Sequence, residues 1–274
     1  MAWNLTAGAG IAAAILYMVG EALLIRGLRR GVPLRRGPLI AVGLPAVLLD
    51  ALCTSAQMQP PEGWYLGFYT ALSLVTLVMV LFVLVTSLRL PVQNLLLLAF
   101  PLAALTSLGS LHGETGFEAR VKLSPQLIGH IVLSITAYSI LFMAACQSIL
   151  VAIQERALRR RRPLGVLRLL PPLESMESVL FALLWVGIVT LTLSIGSGFL
   201  FLEDLFGQRV VHHTVLSCAS WLLYAVLLIG RHRFGWRSST ATSWTLIAFS
   251  LLVLGYFGSK FVLEILLDSG APAS

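Results

Sequence analysis

The 274-residue chain is 58% hydrophobic and only 11% charged, with a formal net charge of +7. Soluble domains run near 45–50% apolar with about a quarter of their residues charged, so water cannot be the solvent for most of this surface. The positive charge is spread over short connections between apolar stretches, which makes it a topology signal rather than a nucleic-acid footprint.

A transmembrane helix needs roughly 20 mainly apolar residues. Such stretches are predicted at about 5–28, 38–56, 64–88, 92–109, 125–153, 176–202, 210–230 and 240–266. Helices of this length satisfy their backbone internally, as a bilayer demands. The expected fold class is therefore all-α: a polytopic membrane protein with a bundle of eight transmembrane helices, forming a single domain over 1–274. The first stretch follows only a few uncharged residues, and its positive charges come after it. That pattern predicts a retained helix with its N-terminus outside rather than a cleaved signal peptide.

Of the 19 basic residues, 15 lie in four alternate connections. Arg26, Arg29, Arg30, Arg35 and Arg36 follow the first stretch, and Arg89 the third. Arg156, Arg159, Arg160, Arg161, Arg162 and Arg168 follow the fifth, and Arg231, Arg233 and Arg237 the seventh. The positive-inside rule puts those connections in the cytoplasm and both termini in the periplasm, for a multi-pass protein of the bacterial inner membrane. The Arg159–Arg162 run then lies beside inner-leaflet headgroups, with membrane lipid and not nucleic acid as its partner.

Within the second stretch Asp50 is an intramembrane acid. It reads as an orienting partner for a histidine, as a proton or cation site, or as a buried structural hydrogen-bonder. The connection at 110–124 carries His112, Arg120 and Lys122 and has two glycines that predict turns. The fifth stretch carries His130. Beyond it, Pro163 and Pro171-Pro172 break a polar continuation before Glu174 and Glu177 open the sixth stretch, where carboxylates favour a helix N-terminus. The seventh stretch opens on His212 and His213, just after Arg209. Cys53, Cys146 and Cys218 all lie within spans and read as small buried apolar residues.

Imidazoles inside hydrocarbon are costly and mark function. The fifth and seventh stretches are both expected to run from outside to inside. His130 lies about five residues into its helix, about 8 Å below the start. His212 and His213 lie two or three residues into theirs. One imidazole from each of two helices at matched depth can fill both axial positions of a haem. Geometry leaves the choice between the adjacent pair open. His213 continues into Ser217, Ser220 and Tyr224, a polar stripe that reads as bundle interior. His212 continues into Leu216, Ala219 and Leu223, a surface suited to a porphyrin face. Arg120, Lys122 and Arg209 would face the propionates, and His112 is a candidate third, exposed ligand. The chain has no H-E-x-x-H, no Walker loop, no G-x-S-x-G elbow and no dinucleotide fingerprint, so no enzyme activity is expected.

Four segments in order carry a family resemblance. They are Gly129-His-Ile-Val-Leu-Ser-Ile-Thr-Ala-Tyr-Ser, Pro171-Pro172-Leu-Glu-Ser-Met-Glu-Ser-Val-Leu-Phe, His212-His213-Thr-Val-Leu-Ser-Cys-Ala-Ser-Trp-Leu-Leu-Tyr-Ala with Arg233-Phe-Gly-Trp-Arg237, and Gly255-Tyr-Phe-Gly-Ser-Lys-Phe261. Together they resemble the cytochrome c assembly (CcsA/CcmC-type) haem-handling family, and within it the YpjD/HemX-like branch, over about residues 125–266. The resemblance implies haem b held by transmembrane histidines, here His130 and His212, with His213 where a lysine stands in that branch. It also implies cytochrome-assembly or haem-biosynthesis proteins as partners. Full members carry a tryptophan-rich segment before the span matching the seventh stretch. This chain has Glu203-Asp-Leu-Phe-Gly-Gln-Arg209 there and lacks that platform. The expectation is haem handling or support of cytochrome biogenesis. The alternative is a proton-coupled small-solute or ion transporter using Asp50 and the histidines.

Overall fold

The computed structural model describes residues 2–32, 36–58, 66–90, 92–112, 124–160, 170–201 and 211–258. Every regular element among them is helical. The α-helices are α1 (Ala2–Arg29), α2 (Arg36–Met58), α3 (Phe68–Ser87), α4 (Leu96–Gly109), α5 (Pro125–Arg159), α6 (Leu173–Phe201), α7 (Val211–Phe234) and α8 (Ser238–Val253). Seven helical segments among the described residues are long and apolar enough to cross a membrane, the last being α8 with the π-helical turn Leu254–Gly258 that extends it. The predicted fourth crossing is the exception. Its α-helical part has 14 residues, preceded by a 3-10 turn at Gln93–Leu95 and followed by another at Ser110–His112. Hydropathy alone could not separate this from a full-length α-helix, because its composition is as apolar as the others. The predicted last crossing, 240–266, is described only as far as Gly258.

Apolar side chains cover the outside. Leu48, Trp185, Ile229 and Leu200 are exposed, the last by 78%, as suits helices solvated by hydrocarbon. The protein is a multi-pass helical membrane protein. Its helices fall into two compact units, Met1–Lys122 with Arg156–Pro172, and Leu123–Glu155 with Leu173–Ser274.

In the first unit α1 packs on α2 and α4, and α3 on α2 and α4. Membrane helices gain little from hydrophobicity when they associate, so small residues and close approach matter more. Gly20 of α1 provides the approach: a Cβ there would lie 2.7 Å from Cε2 of Phe100. Tyr17, one turn earlier, meets the same ring with centroids 5.9 Å apart. Thr76 and Thr106 join α3 to α4 through hydroxyls 2.6 Å apart.

The second unit contains α5, α6, α7 and α8. Polar side chains tie it together by donating to neighbouring backbone: Gln147 to the Met176 carbonyl, Tyr138 to Leu252, Ser220 to Ala248 and Thr242 to Ser148. The α7–α8 turn has a physical stop signal. Gly235 adopts φ +67°, its N–H reaches the Arg231 carbonyl, and the Trp236 N–H reaches Gly230. This is a Schellman ending, which needs a left-handed residue that only glycine supplies without strain. The Trp236 ring closes over Gly230. Arg231 lies 4.5 Å from the Phe181 ring centroid, and Arg237 pairs with buried Glu177 at 3.1 Å. Glu177 therefore has a specific cationic partner beyond the helix-dipole role expected for it.

Candidate functional site

The second unit holds a cleft of about 480 Å³, counting its open mouth. His130 and Ser134 of α5, Ser194 and Phe199 of α6, and His213 and Ser217 of α7 line it. Two histidines from different helices thus share one cavity, with Leu191 and Ile195 as apolar wall and Tyr138 among the lining residues. The volume falls within the range of about 300–1,000 Å³ usual for ligand and cofactor sites.

Hydroxyls on α5 and α6 set the state of His130. Ser197 donates its single hydroxyl hydrogen to the Ser194 carbonyl at 2.8 Å. Its lone pair is then left to accept the Nδ1–H of His130, 2.9 Å away. This network assigns the tautomer protonated on Nδ1, with a bare lone pair on Nε2. The neighbour of Nε2 is the Ser134 hydroxyl at 3.4 Å. That hydroxyl donates to the His130 carbonyl at 2.8 Å and lies 2.8 Å from the Ser194 hydroxyl, so its hydrogen is already committed. The result is a neutral imidazole, oriented through Nδ1 and offering Nε2 as a ligand, which is how metal-binding histidines are usually held.

His213 differs. Its Nδ1 is buried and has no hydrogen-bond partner. The ring stands edge-on to Tyr256, centroids 5.7 Å apart. The π-helical turn after α8 brings Gly255 against it, so that a Cβ on Gly255 would lie 3.6 Å from His213 Nδ1 and 3.2 Å from the Leu216 Cβ. Such turns occur mostly at functional sites. Below His213, Ser217, Ser220 and Tyr224 are all buried.

His212 is exposed and does not line the cleft. Adjacent helical residues point about 100° apart, so only one of the pair can face α5. The structure brings His130 together with His213, which moves the ligand position from His212, where the family pattern put it, to its neighbour. His112 closes the 3-10 turn at the end of the first unit, and its side chain lies outside the described residues, as do Arg120, Lys122 and Arg209. Asp50 belongs to the first unit, where Tyr17 and Ser73 donate to its carboxylate at 3.2 and 3.3 Å. The group orienting His130 is accordingly a serine rather than this acid. Ser197 and Ser194 escaped sequence reasoning. Their signal was present: two hydroxyls three residues apart in an otherwise apolar span. All three cysteines are free thiols.

Comparison with known proteins agrees with this arrangement of helices and histidines. Inner membrane protein YpjD of Escherichia coli (strain K12) is 27% identical over 257 residues, covering 93% of this chain and 97% of that protein. An uncharacterized 28.8 kDa protein from the nifR3-like 5′ region of Azospirillum brasilense is 38% identical over 140 residues, 50% of this chain and 52% of its own length. Protein HemX of Brevibacillus brevis is 27% identical over 149 residues, 53% of this chain and 55% of its own. No solved structure matches the chain. The cytochrome c assembly protein family matches residues 45–267, a range that takes in both histidine-bearing helices and the cleft between them, and the chain belongs to that family.

Proposed function

We propose that the protein holds haem b in the α5–α8 cleft of the bacterial inner membrane, with His130 and His213 as axial ligands. Its task is haem handling or support of cytochrome biogenesis, without bond-making chemistry of its own. The observation that carries this reading is the pair of histidines on one cavity, one presenting Nε2 and the other a buried, unpartnered ring nitrogen. An orphaned buried nitrogen is costly unless something binds near it. Bound there, haem would supply a redox-active iron whose potential is set by its axial ligands and burial. Leu191, Ile195 and Phe199 line the same cleft and keep water from it. Arg120, Lys122 and Arg209 are assigned to the propionates and His112 to an accessory position nearer solvent. Cytochrome-assembly or haem-biosynthesis proteins are the expected partners. Because residues 203–209 contain no tryptophan, the reading does not extend to presenting haem to an apocytochrome.

Location in the inner membrane is supported by the name of the Escherichia coli relative. Eight crossings with both termini outside are supported by charge and length. The 14 α-helical residues of α4 rise about 21 Å and the six 3-10 residues flanking them about 12 Å, together enough for a hydrocarbon core of about 30 Å. If α4 did not cross, Arg89 and the Arg156–Arg162 group would lie on opposite faces, against the positive-inside rule.

The test is a visible spectrum of the full-length protein purified from membranes and titrated with haemin. A Soret band is expected in the wild type and in His212→Ala. It is lost or shifted to a five-coordinate form in His130→Ala and His213→Ala. A protein that takes up no haemin, or one that depends on His212 and not His213, overturns the assignment.

A further inference from the structure

The first unit contains a second polar centre, separate from the histidines. Asp50 is 0% exposed on α2. Its carboxylate accepts hydrogen bonds from Tyr17 of α1 at 3.2 Å and Ser73 of α3 at 3.3 Å, and Ser107 of α4 is a third hydroxyl beside it. Ser73 also lies 3.3 Å from the Thr54 hydroxyl. Among the described residues no lysine, arginine or histidine is buried, so no cation balances this carboxylate.

The chemistry of that shell matters. A carboxylate meant to stay ionised inside a membrane is usually held by arginine, lysine or backbone N–H groups. Hydroxyls are different, because each both donates and accepts. When Asp50 is ionised, Ser73 donates to it. When Asp50 carries a proton, the carboxyl donates to Ser73, whose hydrogen turns to Thr54. Both charge states are fully hydrogen-bonded, so a proton can come and go without leaving an orphaned polar atom.

An access route exists as well. Asp50, Cys53, Thr54 and Gln57 follow the i, i+3, i+4, i+7 spacing of one helix face. Gln57, near the C-terminal end of α2, donates to the Cys53 sulfur at 3.4 Å and to the Ser110 hydroxyl at 3.3 Å, and its own carbonyl oxygen is buried without a partner. On the other side, Glu21 lies one turn beyond Tyr17 on α1. It is nine-tenths buried, and its Oε2 has no hydrogen-bond partner. The next residues on that face, Leu24 and Leu28, are buried and apolar, so the polar path stops at Glu21. The titratable groups facing the centre are Tyr17 and Glu21 from α1 and Cys53 from α2. α3 and α4 contribute only the hydroxyls of Ser73 and Ser107.

The geometry points to an exchangeable proton site in the first unit: Asp50 binds a proton delivered along the Gln57–Cys53–Thr54 face of α2, and Tyr17 stands between it and Glu21 as second acceptor. This site is independent of haem, so variants of His130 and His213 leave it unchanged.

The experiment is infrared spectroscopy of the purified full-length protein during exchange from H₂O into D₂O. At neutral pH the wild type should show a protonated-carboxyl C=O band that shifts on deuteration and is absent in Asp50→Asn. Tyr17→Phe, which removes one hydrogen bond, should move the band's frequency and identifies it even if Asp50→Asn fails to fold. Glu21→Gln should leave the band in place. Gln57→Leu should keep the band and slow its deuteration roughly tenfold, the factor expected for one lost hydrogen-bonded step. A spectrum with no carboxyl band that responds to Asp50 or Tyr17 overturns the proposal. So does a band that never exchanges, or one that exchanges at the wild-type rate in Gln57→Leu.

Discussion

Replacing Ser197 by alanine tests the logic of the cleft most directly, because the hydroxyl touches His130 and not the cofactor position. In the wild type its oxygen accepts the His130 Nδ1–H at 2.9 Å while its hydrogen is held by the Ser194 carbonyl at 2.8 Å. Ser197→Ala leaves a buried N–H without an acceptor, a cost of about 1–3 kcal/mol. It also frees the ring to exchange tautomers, which puts hydrogen on Nε2 for part of the time and removes the ligand lone pair. At about 1.4 kcal/mol per tenfold, haemin affinity should fall between about fivefold and a hundredfold, the range typical for removing a group that orients a metal-bound histidine. Ser197→Thr keeps the hydroxyl and should restore most of the loss. The assay is a Soret titration in detergent, with thermal unfolding of the haem-free protein as control. Wild-type affinity in Ser197→Ala, or equal losses in the alanine and threonine variants, would refute the reasoning.

Other outcomes follow from the packing. Gly255→Ala places a methyl 3.2 Å from the Leu216 Cβ and 3.6 Å from His213 Nδ1, so it should destabilise the second unit by about 1–3 kcal/mol and perturb the His213 side of the haem spectrum. Gly20→Val, with its Cβ 2.7 Å from the Phe100 ring, should lower the thermal midpoint of the detergent-solubilised protein while leaving haemin affinity intact. Arg237→Ala strands Glu177, which is only 4% exposed. Because the arginine is half in solvent, the cost should lie between the surface and buried limits, about 1–3 kcal/mol, and Glu177→Gln on the same background should recover part of it. Cysteines placed at Leu88 and Arg160 should both resist a membrane-impermeant maleimide applied from the periplasmic side. Labelling of one and not the other would mean that α4 does not cross.

How much of this was legible beforehand depended on the range of the interaction. Long apolar helices announce themselves, because hydrocarbon imposes their length and composition residue by residue. The shortening of α4 into an α-helix with 3-10 ends did not show, since a 3-10 turn and an α turn have similar composition. The shared depth of the histidines on α5 and α7 could be read from rise per residue, whereas facing could not. The 100° step from His212 to His213 is settled by which flank packs, and the buried Ser217, Ser220 and Tyr224 side carried His213 inward. The polar stripe held that information, but the apolar stripe below His212 offered an equally coherent pattern. The serines that orient His130 come from another helix, so no local rule could have paired them with it.

The π-helical turn at Leu254–Gly258 has a consequence for how this site tolerates change. A five-residue hydrogen-bonded loop accommodates one residue more than a regular turn. Removing a single residue there would let the segment relax into ordinary α-helix and swing everything after it by about 100°, carrying Gly255 and Tyr256 away from the imidazole they flank. Chain length at this one point acts as a register adjustment. Insertions or deletions in the preceding body of α8 should be harmful, whereas a one-residue deletion at the turn should leave a folded helix whose tip faces the wrong way.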